Sequence, residues 1–95
     1  MKASYITVDL VREAANLLRG MGAAEVFAFG STQSGRDTTG SDLDLAVRGL
    51  PHRRYFSAVS RTSELVGRPV GLVDLDDETP LVRHLRKSGE LIRVG

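Results

Sequence analysis

The residues best suited to chemistry are two aspartates that stand one position apart. Asp42 and Asp44 lie in segment 42–47, Asp-Leu-Asp-Leu-Ala-Val, where the apolar leucines alternate with the aspartates. A period of two is typical of a β-strand and places both carboxylates on one face, with Cα atoms about 6.6–6.8 Å apart. Two such charges repel unless a cation neutralises them, and carboxylate oxygens favour Mg²⁺ or Mn²⁺. The alternative is a solvated strand face without a ligand.

A glycine-serine pair precedes these aspartates and could hold phosphate. The apolar segment 25–29 is predicted to be a strand that runs directly into Gly30 and Ser31. Glycine allows close backbone approach, and exposed N–H groups and a hydroxyl can bind phosphate oxygens. Alone, such a pair is usually an ordinary turn. Together with the paired carboxylates it favours phosphoryl or nucleotidyl transfer, which needs an anchored triphosphate and a bridging metal.

Three helices and four strands must position these residues, in the order α-β-β-α-β-α-β. The first helix is predicted to follow a cap at Thr7, the second to follow Pro51 and end at Gly67, and the third to begin at Thr79-Pro80 and end at Gly89. The apolar stripe of the first helix is predicted to be Leu10, Ala14, Leu17, Leu18 and Met21. The predicted strands are 25–29, 42–47, 69–75 and 91–94, the last at an edge of the sheet. The connection between the first two is too short for a helical crossover, so they should be antiparallel.

The order of elements indicates an α+β or α/β arrangement of helices packed on a small sheet. The 95 residues are enough for a single domain, 1–95, with a modest core. We expect Phe27, Phe29 and Phe56 in that core. His52 and His84 lie far apart in a chain without cysteine, so we expect no zinc site.

Composition excludes several classes of function. With 41% hydrophobic and 26% charged residues, the chain is neither disordered nor a coiled coil. A net charge of +1 is too balanced to indicate nucleic-acid binding. Apolar runs are too short to cross a membrane, and the first residues lack the core of a signal peptide. We therefore expect a cytoplasmic protein with no membrane partner.

The motifs together resemble a known family. The residues Gly30-Ser31-Thr32-Gln33-Ser34-Gly35 and Ser41-Asp42-Leu43-Asp44-Leu45 are similar to the signature of the polymerase-beta-type nucleotidyltransferase superfamily, and the chain's length resembles the minimal nucleotidyltransferase (MNT) domain. The resemblance implies an α+β fold, a small mixed sheet with helices on one side. It also implies that Gly30, Ser31 and Ser41 bind the nucleotide. By the same resemblance Asp42 and Asp44 are catalytic and bind Mg²⁺ or Mn²⁺, with ATP as substrate.

The sequence departs from this family at two positions. Ser34 stands where the family usually has arginine, and Gly71 stands where the family places a third carboxylate, its general base. Asp74 is a candidate substitute acid, but strand alternation puts positions 71 and 74 on opposite faces. A strand bulge could bring Asp74 to the site, since a strand glycine can mark one. Asp76 and Asp77 are further candidates, and all three acids could instead be solvated loop residues.

The resemblance implies two competing functions. In the first, the chain transfers AMP from ATP to a hydroxyl of a helical HEPN-type toxin and acts as its antitoxin, with activity weakened by Gly71. In the second, it is a catalytically degraded binding module that neutralises that partner by forming a complex, so that homo- or hetero-oligomers are expected. A nucleotide sensor, or the catalytic fragment of a larger transferase, is a third interpretation.

Overall fold

The residues that the structure describes form a four-stranded mixed sheet with helices on both faces. The structure is a computed structural model that describes residues 8–29 and 43–95. The order along the chain is α1 (Val8–Gly20), β1 (Glu25–Ala28), β2 (Leu43–Arg48), α2 (Tyr55–Val66), β3 (Val70–Asp74), α3 (Pro80–Ser88) and β4 (Ile92–Arg93). A short 3-10 turn, His52–Arg54, leads into α2. This order confirms the predicted succession of elements and the α+β class.

The strands are ordered β3-β2-β1-β4 across the sheet. Strand β1 is antiparallel to both β2 and β4, as the short β1–β2 connection predicts for the first pair. Strand β3 is parallel to β2, reached through α2 as a crossover helix. The predicted edge position of the last strand is confirmed, and β3 forms the opposite edge.

Two apolar clusters cover the two faces of the sheet. The larger cluster contains α1, α2 and one face of the strands; its strand members are Val26, Ala28, Leu43, Leu45, Val47, Val70 and Leu72. The smaller cluster lies on the other face, where Val82 of α3 packs with Ala46 and Leu75. The expectation that all helices lie on one side is therefore wrong for α3.

The helix ends follow local sequence signals. Thr79 caps α3, because its side-chain oxygen accepts a hydrogen bond of 3.2 Å from the backbone N–H of Val82. Gly67 and Gly89 end α2 and α3 with left-handed φ angles of 82° and 73°. These three predictions are confirmed. The predicted cap at Thr7 lies outside the described residues.

The buried stripes of α1 and α2 differ from the predicted ones. In α1 the buried residues are Val11, Ala14, Ala15 and Leu18, so the stripe is rotated and Leu10, Leu17 and Met21 are only half-buried. In α2 they are Ala58 and Thr62. Phe56, expected in the core, is 82% exposed. Small residues at the centre of both stripes let the helices pack closely, and larger residues are left at the margins.

None of the helices built from the described residues is long and apolar enough to span a membrane.

Candidate active site

Asp44 lies on the face of the sheet that carries the smaller apolar cluster. It points to the same side of β2 as Ala46, while Leu43, Leu45 and Val47 point to the larger cluster. The side chain is half-buried. Its backbone oxygen accepts a hydrogen bond of 3.2 Å from the N–H of Phe29, the last described residue before Gly30. The described end of β1 thus lies beside Asp44, on the side away from β3.

Gly71 is the direct neighbour of Asp44 on the other side. The two residues are register partners in the parallel β2–β3 pair. A Cβ atom built on Gly71 would lie 2.9 Å from Oδ1 of Asp44. A carboxylate at position 71 would therefore converge on Asp44, which is the geometry that two metal-binding acids need. Gly71 itself contributes no side chain there.

Several predicted site residues lie outside the described part of the chain. These are Gly30, Ser31, Ser34, Ser41 and Asp42. The convergence of Asp42 and Asp44 on one cation therefore stays a prediction. The chemistry of the described site fits the cation, because Asp44 supplies the hard oxygen donor that Mg²⁺ and Mn²⁺ prefer.

Asp74 is not brought to Asp44. Strand β3 alternates without a bulge in its register with β2, and Asp74 pairs with Val47, whose side chain lies in the larger cluster. The Asp74 carboxylate is thus on the opposite face from Asp44. It is only 6% exposed, and Oδ1 accepts a hydrogen bond of 2.9 Å from the N–H of Asp76. Asp74 is a buried turn-forming residue, so the expectation of a solvated acid is wrong for it.

His52, Asp74 and Asp77 come together in a cluster that sequence reasoning missed. One potential ligand atom from each lies within 4.8 Å of the others. His52 Nε2 is 3.8 Å from Asp74 Oδ2, too long for a hydrogen bond. No sequence spacing signals this cluster, because His52 precedes α2, Asp74 ends β3 and Asp77 lies in the turn that follows. Since Asp74 faces away from Asp44, the cluster is no part of the site around Asp44.

An apolar groove runs from Asp44 across the outer edge of β3. Its volume is about 440 Å³. The groove, called the β3 groove below, is lined by Phe29, Asp44, Tyr55, Phe56, Val59, Val70, Gly71, Leu72, Val73 and Leu81. Among these lining residues only Asp44 is charged. Sequence reasoning did not identify Phe56 and Leu81 as site residues, because their helical spacing is equally typical of a core.

Comparison with known proteins gives a family match and related folds. The family model described as polymerase beta, nucleotidyltransferase matches residues 16–93. Comparison with curated protein sequences gives no match.

Solved structures share the fold over nearly the whole chain. A protein described as a minimal nucleotidyltransferase is 27% identical, with a TM-score of 0.74 over 95% of this chain and 98% of that one. A toxin-antitoxin structure with AMP-PNP is 20% identical, with a TM-score of 0.73 over 95% of this chain and 73% of that one. A chain in a complex of a tri-AMPylated HEPN toxin from Shewanella oneidensis with an MNT antitoxin is 19% identical. Its TM-score is 0.68 over 94% of this chain and 72% of that one.

Proposed function

We propose a function from the premise that this chain belongs to the polymerase-beta-type nucleotidyltransferase family. The chain binds ATP with a divalent cation and transfers AMP to a hydroxyl of a partner protein. The partner would be a HEPN-type toxin, and the chain its cytoplasmic antitoxin. The observation that carries the proposal is the position of Asp44. Its carboxylate lies beside position 71 of the neighbouring strand, between the β1 end that leads to Gly30 and the β3 groove.

Each site residue has a specific role in this proposal. Gly30, Ser31 and Ser41 would hold the triphosphate, and Asp42 and Asp44 would bind Mg²⁺ or Mn²⁺. Such a cation, when bound, neutralises charge on the phosphate oxygens. The acceptor oxygen forms a bond to the α-phosphorus, the bond from that phosphorus to the bridging oxygen breaks, and pyrophosphate leaves. The acceptor's proton must pass to a base.

Because Gly71 supplies no carboxylate, we expect the transfer to be slow. The described residues place no second carboxylate beside Asp44, since Gly71 has no side chain and Asp74 lies on the opposite face. General-base catalysis contributes about 10²–10⁴-fold in rate. A weak transferase is therefore the form of activity that the described geometry supports.

The same glycine favours a second candidate function. A chain without the acid at position 71 could keep its fold and neutralise the partner by binding alone. This interpretation agrees with the relatives described as antitoxins in complexes with toxins. It differs from the first in requiring no covalent change to the partner.

Intact mass spectrometry separates the two functions. The chain is incubated with its HEPN-type partner, Mg²⁺ and ATP, and the partner is weighed. A mass gain of one AMP that disappears with Asp44→Asn supports the transferase, and a tight complex without mass gain supports the binding module. The matched control is Asp77→Asn, an exposed acid in the turn after β3, which should leave the mass gain intact. Binding of a fluorescent ATP analogue that survives Asp44→Asn with Asp42→Asn would contradict the metal assignment.

A further inference from the structure

Two exposed apolar side chains stand on either side of the edge strand β3. Phe56 of α2 is 82% exposed and Leu81 of α3 is 49% exposed, and both line the β3 groove. Because α2 and α3 pack on opposite faces of the sheet, the groove crosses the edge between them. Exposed aromatic residues are costly in water and are enriched where proteins bind one another.

Side chains of α2 block part of the outer edge of β3. The hydroxyl of Tyr55 donates a hydrogen bond of 2.5 Å to the backbone oxygen of Leu72. The hydroxyl of Ser63 accepts one of 3.1 Å from the N–H of Val70. Side chains of α2 thus occupy backbone groups that an added strand would need. An occupant of the groove should therefore be held mainly by side-chain contacts.

The groove lies on the side of Asp44 from which the acceptor hydroxyl would attack. This assignment of the two sides rests on the proposed function. Phe29, which leads to the predicted phosphate-binding pair, contacts Asp44 from the β1 side, whereas Gly71 lies on the β3 side. In phosphoryl transfer the attacking and leaving oxygens are roughly in line across the phosphorus. A triphosphate held from the β1 side leaves the β3 side open to the attacking hydroxyl.

The lining and the rim of the groove indicate the chemistry of its occupant. The described lining residues are apolar apart from Asp44 and the hydroxyl of Tyr55, which already donates to Leu72. Arg53 precedes Phe56 by three residues, is exposed, and has no ion pair with another described residue. We propose that the β3 groove binds the acceptor as a polypeptide segment, with apolar side chains on Phe56 and Leu81 and an acidic residue near Arg53. Among the described lining residues, a sugar or another small polar acceptor would find few partners for its hydroxyls.

Peptide titration tests the groove without any need for catalysis. The probe is the peptide Glu-Leu-Tyr-Leu-Glu, in which tyrosine supplies the hydroxyl, and the readout is the amide spectrum of the ¹⁵N-labelled chain. We expect saturable shifts at Val59, Gly71 and Leu81. Affinity should fall about tenfold in Phe56→Ser, as for a central interface residue. The matched control, Leu65→Ser, removes a partly exposed apolar residue of α2 outside the groove and should leave the affinity unchanged.

Other outcomes would overturn the inference. These are shifts confined to other surfaces, equal binding of Lys-Leu-Tyr-Leu-Lys, or an equal loss of affinity in Leu65→Ser. Leu81→Ser provides a second groove variant should Phe56→Ser fold poorly. A separate titration with Mg²⁺ and AMP-PNP examines the proposed function: absence of binding contradicts that function while the peptide result still decides the groove. Shifts of the groove amides by AMP-PNP instead of the peptide would assign the groove to the nucleotide.

Discussion

Gly71→Asp examines the site at the point where the sequence departs from its family. The new Cβ would lie 2.9 Å from Oδ1 of Asp44, so the Asp44 carboxylate must turn aside, which is inexpensive for the end of a half-buried side chain. The two charges would then stand a few ångströms apart. At an effective dielectric constant of about 20, two charges 4 Å apart repel by about 4 kcal/mol. Solvent at this half-exposed position screens part of that repulsion. We therefore expect Gly71→Asp to lower the unfolding free energy by about 1–3 kcal/mol in the absence of metal.

Magnesium should reverse this loss. A cation bound only to the folded state stabilises it by about 2.7 kcal/mol at a concentration 100 times its Kd. The assay is urea unfolding with and without MgCl₂, with Gly71→Asn as the uncharged control of the same shape. If the missing base limits the reaction, AMP transfer to the partner should also rise, by up to about 10²–10⁴-fold. Identical stability and Mg²⁺ response in Gly71→Asp and Gly71→Asn would refute the idea that position 71 shares a cation site with Asp44.

Three further substitutions test other parts of the structure. Thr62→Val should raise the unfolding free energy by about 1 kcal/mol, because the buried Thr62 hydroxyl has no partner among the described residues; a loss in urea unfolding would show a hydrogen bond there. Asp74→Asn should lower the unfolding free energy by about 1–3 kcal/mol, because it weakens a buried acceptor in the turn after β3. AMP transfer per folded molecule should stay unchanged. Loss of AMP transfer in this variant would show that Asp74 is the substitute acid after all. Thr79→Ala should cost about 1 kcal/mol and increase amide hydrogen exchange at Val82, and unchanged exchange would argue against the cap.

The sequence predicts the elements well because their signals are local. Alternation in β2, the Thr79-Pro80 helix start and the glycine at position 67 each act within a few residues of themselves. The glycine- and threonine-rich β1–β2 connection also favours an antiparallel pair, since parallel strands are usually joined through a helix. The strand alternation that separates positions 71 and 74 is also a local signal. The observed register of β3 places these two residues on opposite faces of the sheet.

The sequence does not predict which apolar residues stay exposed. Phe56 fits a helical apolar stripe as well as Val59 does, but only the packing of α1 on α2 decides which side of the helix is covered. The position of α3 across the sheet is likewise a tertiary property. The His52, Asp74 and Asp77 cluster depends on where α2 and β3 meet, and no spacing along the chain encodes that meeting.

The unequal apolar clusters of the sheet have a consequence for how this protein can change over generations. Most of the buried hydrophobic side chains lie on the face turned away from Asp44, and the reactive face depends on few. Substitutions around Asp44 should therefore remove little of the burial that keeps the chain folded. Catalytic acids can be lost one at a time from such an architecture without unfolding it. A descendant that has lost transferase activity can therefore keep the fold and be retained for binding alone.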